Sequence, residues 1–484
     1  MSDPRSSIQA MFADTCRYGN FGDVLMRIQI KGFRCHRDTV IEIGSPITGF
    51  CGFNGTGKST ILQLAAAAYT STESTKRPYY INNFLVVGTL DPTPFSDDAA
   101  IEYRFWQSDR SLKQLKLSRN AATKRWQGYA RRPSRTVFFV GNGAYLPKIE
   151  EWDFLTRNAH LLTVSSQSPV SEMIKSWTCK VLSQGYDSIQ SNTVICSERT
   201  GTIMSVHRGS ISYSESHMGY GEGRSQHLIR ALELLPEKSL ILIEEPETSL
   251  HASAQYELGQ YLVDVTRRRK HQILLTTHSE FILDALPSQS RVYLSRTATG
   301  IVAIPGMTSS QAKSLMSQGH VKALHVLVED ECAKAVLTEI IRRSDQDFLR
   351  CIAIYPTGDA DTVAKTVRAI KETGLPVAAV RDADQSATPS DNLFRLPGSM
   401  PPEKELWGNS AVKEQLQQTY GLNIIDFTAG LAGVNHHCWF SRLADHVNQQ
   451  EPAILSEAAR AYATSLPEGE VSTLTLLLKE AARR

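Results

Sequence analysis

Gly52-Phe-Asn-Gly-Thr-Gly57-Lys58-Ser59 decides how the rest of the chain is read. It fits G-x-x-x-x-G-K-[ST] at every fixed position. It also lies between a strand-like run, Ile47-Thr-Gly-Phe-Cys51, and an Ala- and Leu-rich run over 58–69 that predicts a helix. Glycines let the backbone wrap until its N–H groups point inward, and the helix start adds the positive end of its dipole. Such a cradle suits phosphate oxygens. Asn54, Gly55, Gly57, Lys58, Ser59 and Thr60 are the expected contacts with ATP. Lys58 is expected on the β- and γ-phosphates and Ser59 on Mg²⁺.

Further along, Leu240-Ile-Leu-Ile-Glu244-Glu245-Pro246-Glu247 places carboxylates at the end of an apolar strand, where α/β sheets bind ligands. Two adjacent carboxylates are costly there unless a cation and hydrogen bonds compensate. Glu244 is expected in the Mg²⁺ shell and Glu245 beside the attacking water.

Around these motifs, apolar strands at 239–243 and 272–276 alternate with helices over about 224–235 and 252–270, so the sheet is largely parallel. A second series opens near 324: strands at 325–328, 351–355 and 376–380, with helices ending at 343 and over 361–373. The expected division is a loosely attached leader at 1–24, a nucleotide-binding head at 25–310, and a smaller α/β domain with a helical tail at 320–484, joined by a linker at 305–320. Residues from about 70 to 215 read as an insertion, with strands at 84–87, 100–105 and 136–140 and a helix over 171–184. No repeat or low-complexity segment is visible.

At 484 residues, 41% hydrophobic and 21% charged, the chain reads as a soluble protein of two or three domains. The net charge of +2 neither demands nor excludes nucleic acid. Eight cysteines without a C-x-x-C pair suggest a reduced chain rather than a zinc site. With no run of about 20 apolar residues and no signal pattern, a cytoplasmic protein without membrane contact is expected.

Gly52 to Thr60, Met218-Gly-Tyr-Gly-Glu222, Glu244 to His251 and Thr276-Thr-His278-Ser279 follow the order of motifs in ABC-type ATPases. They resemble the SMC/RecF/OLD branch in particular, whose first strand is also similar to Ile30-Lys-Gly-Phe-Arg34. The resemblance implies a P-loop head combining a parallel sheet with an antiparallel β subdomain. It makes Gly219, Gly221 and Glu222 a signature loop facing the nucleotide of a second subunit, so a homodimer or higher oligomer is implied. Gly219 stands where the family has serine, which leaves that contact to backbone N–H groups. Ser249 and Leu250 fall at the dimer seam, and His278 becomes the switch histidine. Catalysis is thus assigned to Lys58, Glu245 and His278. Gln167 is a weak match to the glutamine loop.

In the second domain Glu329 ends one strand, and Asp382 and Asp384 follow another. Two residues apart on an extended segment, the aspartates are expected to share a side. Three converging carboxylates suit Mg²⁺ or Mn²⁺ and phosphodiester hydrolysis. The segment resembles a TOPRIM domain. An ABC head followed by TOPRIM is the layout of OLD-family nucleases found among bacterial anti-phage systems. Asp330 replaces the usual glycine after the glutamate, and Ala333 replaces an acidic residue found in many members. Asp359 and Asp361 either supplement the site or begin a helix. Lys404 would stabilise a transition state, as a downstream lysine does in some OLD members. His436 and His437 are acid–base groups, metal ligands or core fillers.

Lys113, Lys116, Arg119, Lys124, Arg125, Arg131, Arg132 and Arg135, interleaved with Trp126 and Tyr129, form a candidate nucleic-acid surface or a solvated hairpin. Two functions of different class follow. One is an ATPase coupled to metal-dependent nucleic-acid cleavage. The other is an ATP-gated scaffold, similar to Septu- and PARIS-type ATPases, that holds a separate effector nuclease or toxin. A RecF/SMC-like repair factor fits less well, because no heptad-bearing arm is visible.

Overall fold

The computed structural model describes residues 4–72, 77–120, 122–143, 145, 158–317 and 320–482. The chain divides into two compact units, Met1–Ser309 and Ser310–Arg484.

The first unit begins with β1 (Leu25–Phe33), β2 (His36–Glu42) and β3 (Ile47–Gly52). After helix Lys58–Ala66 come β4 (Phe95–Trp106), β5 (Leu112–Arg119), β6 (Trp126–Gln127) and β7 (Val137–Val140). A hairpin series follows: β8 (Thr163–Pro169), β9 (Ser188–Cys196), β10 (Arg199–Arg208) and β11 (Ile211–Ser214). The unit closes with β12 (Leu240–Glu244), β13 (Gln272–Thr276), β14 (Arg291–Thr297) and β15 (Gly300–Pro305). They build a six-stranded sheet in the order β15-β14-β3-β13-β12-β7, antiparallel only at β15. A five-stranded antiparallel sheet runs β2-β1-β4-β5-β6, and a four-stranded one β11-β10-β9-β8.

Side-chain alternation explains the layering. Leu240, Leu242 and Leu274 join Ile28, Ile30, Ile61 and Tyr103 in the core between the two larger sheets. Ile241, Ile243, Ile273 and Leu275 face the other way, onto Leu228, Ile229, Leu258 and Leu262 of helices Tyr220–Leu234 and Ala252–Arg269. A sheet buried on both faces reads as a continuous apolar run, which is what 240–243 and 273–275 are.

Four expectations need correction. The leader is not loose: helices Pro4–Met11 and Arg17–Phe21 bury Ile8 and Phe21, and Phe12 in the turn between them is buried too, all to 3% exposure or less. Three apolar anchors in so short a segment are too few to show a period, yet they suffice to dock. Residues 70–215 are not one insertion, because β4 pairs with β1 and β7 pairs with β12, completing the core sheets. No strand forms at 84–87, where only Leu85 is buried and Val86 and Val87 are exposed behind the 3-10 turn Ile81–Asn83. The linker region contains helix Ser309–Met316, with Ala312 and Ser314 buried.

The second unit holds a parallel four-stranded sheet. Its strands are β16 (Leu324–Val328), β17 (Ile352–Pro356), β18 (Val377–Arg381) and β19 (Leu393–Arg395), in the order β17-β16-β18-β19. Val326, Val328, Ala378 and Val380 face helix Glu331–Ser344 and the C-terminal helices. Leu327, Val377 and Ala379 face Val363 and Val367 of helix Ala360–Glu372. Among the described residues no helix is long and apolar enough to cross a membrane. All eight cysteines are free thiols.

Candidate active site

The turn from β3 into helix Lys58–Ala66 takes positive φ at Gly52, Gly55 and Gly57. At Gly57 a Cβ would also stand 2.1 Å from His36 Nε2, so two constraints select glycine. The first helical bond runs from Ile61 N–H to Gly57 C=O at 3.1 Å, so the preceding amides look out of the helix end. Lys58 is 7% exposed, and its ammonium donates to the carbonyls of Gly52 at 2.9 Å and Phe53 at 3.0 Å. Burial lowers its pKa, with Glu245 acting in the opposite sense. Asn54, Gly55 and Ser59 are exposed, while Thr60 is buried at 1% and can offer only its backbone without rearrangement.

Two residues outside the motif brace this loop. Buried His36 bridges Thr39 Oγ1 at 3.0 Å and Gly57 O at 3.1 Å. Arg296 donates to Gly55 O at 2.5 Å. Neither carries a sequence signal, because each acts from another strand on a main-chain carbonyl.

β12 delivers the acidic pair. Glu244 is 9% exposed, and its Oε1 is buried without a hydrogen-bond partner. A buried carboxylate oxygen left unpaired is costly, and a divalent cation would remove that cost. Mg²⁺ therefore fits the donor set of Glu244 and Ser59. Glu245 adopts φ +42°, rare for a residue with a side chain, and its N–H is held by Thr276 O at 3.0 Å. The tight turn sets its Oε1 3.8 Å from His278 Nε2. Burial, and secondarily Lys58, lowers the His278 pKa, so the ring is neutral near pH 7. Glu247, the last acid of the same motif, takes a role that the motif alone does not assign. It is 9% exposed, and its Oε1 accepts the His278 N–H at 2.7 Å, which fixes the approach of that histidine. Arg224, buried at 4%, ties helix Tyr220–Leu234 to the Glu244 carbonyl at 2.7 Å.

Gly219 is the N-cap of that helix. At Gly221 a Cβ would meet Ser249 O at 2.4 Å, so the 218–222 loop packs on the turn after the acidic pair. Glu222 departs from expectation. Its Oε1 accepts from Tyr186 at 2.7 Å and Tyr213 at 2.9 Å, making it a strut to the β8–β11 sheet rather than a nucleotide ligand. Gln167 lies on exposed β8.

The second unit has a cleft of about 550 Å³ lined by Glu329, Asp330, Asp359, Asp382, Glu403 and His437, among others. Glu329 Oε1 accepts the Asp382 N–H at 3.1 Å, so β16 and β18 bring these two acids together. Asp382 is 6% exposed, with Oδ1 unpartnered. Burial, then Glu329, Asp330 and Glu403, push its pKa up to about 8. Burial also raises Glu329. Asp384 does not line the cleft with Asp382, although its charge still acts on Asp382 and Glu329. The chain turns at once, Gln385 N–H bonding Asp382 O at 3.1 Å, and Asp384 is exposed. Asp330 and Asp359 are N-caps, accepting from Ala333 and Thr362 N–H at 2.8 Å each. Asp361 is an exposed first-turn residue of helix Ala360–Glu372, and Lys404 lies in helix Pro402–Gly408. Glu403 is the acid that the spacing of motifs did not reveal.

Half of the candidate nucleic-acid surface is structural. Arg132 and Arg135 are buried on main-chain carbonyls, Arg119 and Lys124 pair with Asp97, and Trp126 packs between Phe33 and Phe95. Lys113, Lys116, Arg125 and Arg131 stay exposed.

Two family models match the chain. One, described as "AAA domain, putative AbiEii toxin, Type IV TA system", matches residues 179–284. The other, described as "AAA domain", matches residues 27–136. Together they span the phosphate loop, the 218–222 loop, the acidic pair and His278, and the first unit is an AAA-domain ATPase of mixed α/β P-loop fold. Among solved structures, the SMC head domain from Thermotoga maritima is similar at 15% identity and TM-score 0.36, covering 59% of this chain and 99% of that one. The Smc head domain bound to the C-terminal domain of ScpA derived from Pyrococcus furiosus is similar at 12% identity and TM-score 0.38, covering 60% and 98%. No curated protein matches the chain.

Proposed function

We propose that the chain is an ATP-hydrolysing switch of the ABC type, of the SMC/RecF/OLD branch, whose second unit cuts phosphodiester bonds of nucleic acid in bacterial defence against phage. One observation carries the reading. In each unit a parallel sheet ends in a buried carboxylate oxygen without a partner, Glu244 Oε1 and Asp382 Oδ1, beside a second acid. Protein interiors rarely leave such atoms unmet unless a cation is to satisfy them.

In the first unit Lys58 and the loop amides bind and orient the phosphates. Mg²⁺ held by Ser59 and Glu244 would supply charge neutralisation on the phosphate oxygens. Glu245 takes the proton of the attacking water, and the neutral His278, aligned by Glu247, donates a hydrogen bond where charge develops. Gly219 and Gly221 offer backbone N–H groups to a partner subunit's nucleotide. One chain carries one loop of each kind, so the mechanism needs a homodimer or higher oligomer. Nucleotide occupancy would then bias the output unit. There Glu329 and Asp382 would hold Mg²⁺ or Mn²⁺ and activate water.

A TOPRIM-like scaffold that holds a separate nuclease or toxin is the second reading. It is favoured by Ala333, fully buried in the core where family members have an acid, and by the outward Asp384. Plasmid cleavage separates the two. The purified full chain with Mg²⁺ or Mn²⁺, with and without ATP, is expected to cut, and Asp382→Asn to lower the rate at least about 100-fold. No cutting by the parent, or equal cutting by the variant, turns the assignment to the scaffold.

A further inference from the structure

A second donor set stands in the same cleft, and it contains nitrogen. Glu403, in the first turn of helix Pro402–Gly408, is 3% exposed. Its Oε1 lies 2.8 Å from His437 Nδ1, while its Oε2 is buried with no hydrogen-bond partner. His436 and His437 begin the 3-10 turn His436–Cys438, with ring centroids 4.1 Å apart. They do not fill a core: His436 is half-buried and His437 exposed. One ligand atom from each of Glu403, His436 and His437 falls within 4.8 Å of the others. Asp330 Oδ2, 3.8 Å from His437 Nδ1, adds a fourth donor, an oxygen.

We propose that Glu403, His436 and His437 form a binding site for a divalent transition-metal ion of the zinc type, distinct from the Glu329–Asp382 pair. Three considerations select that class of ion. Two imidazoles and one carboxylate match the mixed nitrogen–oxygen sets of zinc and its neighbours, whereas Mg²⁺ prefers oxygen alone. The orphaned Oε2 of a nearly fully buried acid is satisfied by a cation in the cleft. Counted with Asp330, the set also supplies the four donors of a tetrahedral zinc site. The inference does not rest on the cleavage reading, since binding is measured without nucleic acid.

The test uses EDTA-stripped, nucleotide-free full chain. Zn²⁺ and Mg²⁺ are each titrated calorimetrically, and Co²⁺ is added as a probe whose visible absorption reports imidazole ligation. One tight Zn²⁺ per chain is expected, bound at least about 100-fold more tightly than Mg²⁺, with a Co²⁺ spectrum of matching stoichiometry. His436→Ala/His437→Ala, two partly exposed positions whose loss leaves the core intact, should weaken Zn²⁺ at least about 10-fold and abolish the spectrum. Asp382→Asn should leave both unchanged. The proposal is overturned if Zn²⁺ binds no better than Mg²⁺, if the double variant keeps the parent's affinity, or if Asp382→Asn removes the Zn²⁺.

Discussion

The Lys58 ammonium sits between two main-chain carbonyls, and the Glu245 carboxylate is held 3.8 Å from His278 by a left-handed turn. The roles of these residues separate cleanly. Glu245→Gln keeps the size and the turn but removes the base. It should bind ATP like the parent while turnover falls at least about 100-fold, as measured by phosphate release beside equilibrium binding. Turnover within a few-fold of the parent would remove Glu245 from the mechanism. A second prediction concerns His271, fully buried, with Nε2 3.2 Å from Leu232 O and Nδ1 without a partner. Burial pushes its pKa down to about 4, against 6.5 in the free side chain. The unfolded chain therefore takes up the proton first. Stability from this residue is complete above about pH 6.5 and is lost as pH falls toward 4, by up to about 3 kcal/mol. Urea melts at about pH 7 and about pH 4.5 should show that loss, and His271→Gln should show a smaller one. At this scale the local motifs were legible, because the phosphate loop is defined by consecutive residues. The braces His36 and Arg296, the cleft acid Glu403, and the contact of Glu247 with His278 were not legible. Each meets its partner through the fold, at a sequence distance no motif fixes.

Elements were read well wherever a period ran long enough. The β12 and β13 strands and the helix Ala252–Arg269 lie within a residue or so of their expected bounds, because burial on both sheet faces leaves an unbroken apolar run. Short elements were misread. The run at 84–87 is apolar but has no strand to pair with, and the aspartates at 382 and 384 separate because the chain turns immediately after β18. The N-terminal helix is the largest such error, and it makes a prediction. Ile8 is fully buried in the core that Leu258, Tyr261 and Leu262 of helix Ala252–Arg269 help to build. Ile8→Ala should lower stability by about 2–4 kcal/mol in urea denaturation of the full chain. A change below about 0.5 kcal/mol would restore the view of a loose leader.

For the whole molecule, the two units repeat one physical device, a largely parallel sheet whose strand ends gather buried carboxylates. The first unit surrounds its acids with a phosphate loop, and the second surrounds its own with further acids and a pair of histidines. The ATP-driven switch proposed for the chain depends on the first of these working. Calorimetric titration of Mg²⁺-ATP into the full chain and into Lys58→Met is the direct test. The parent is expected to bind nucleotide, and the variant to bind at least about 30-fold more weakly, the effect of about 2 kcal/mol from losing one charge-assisted contact. Equal affinity in the two proteins, or no binding by the parent, would contradict the account.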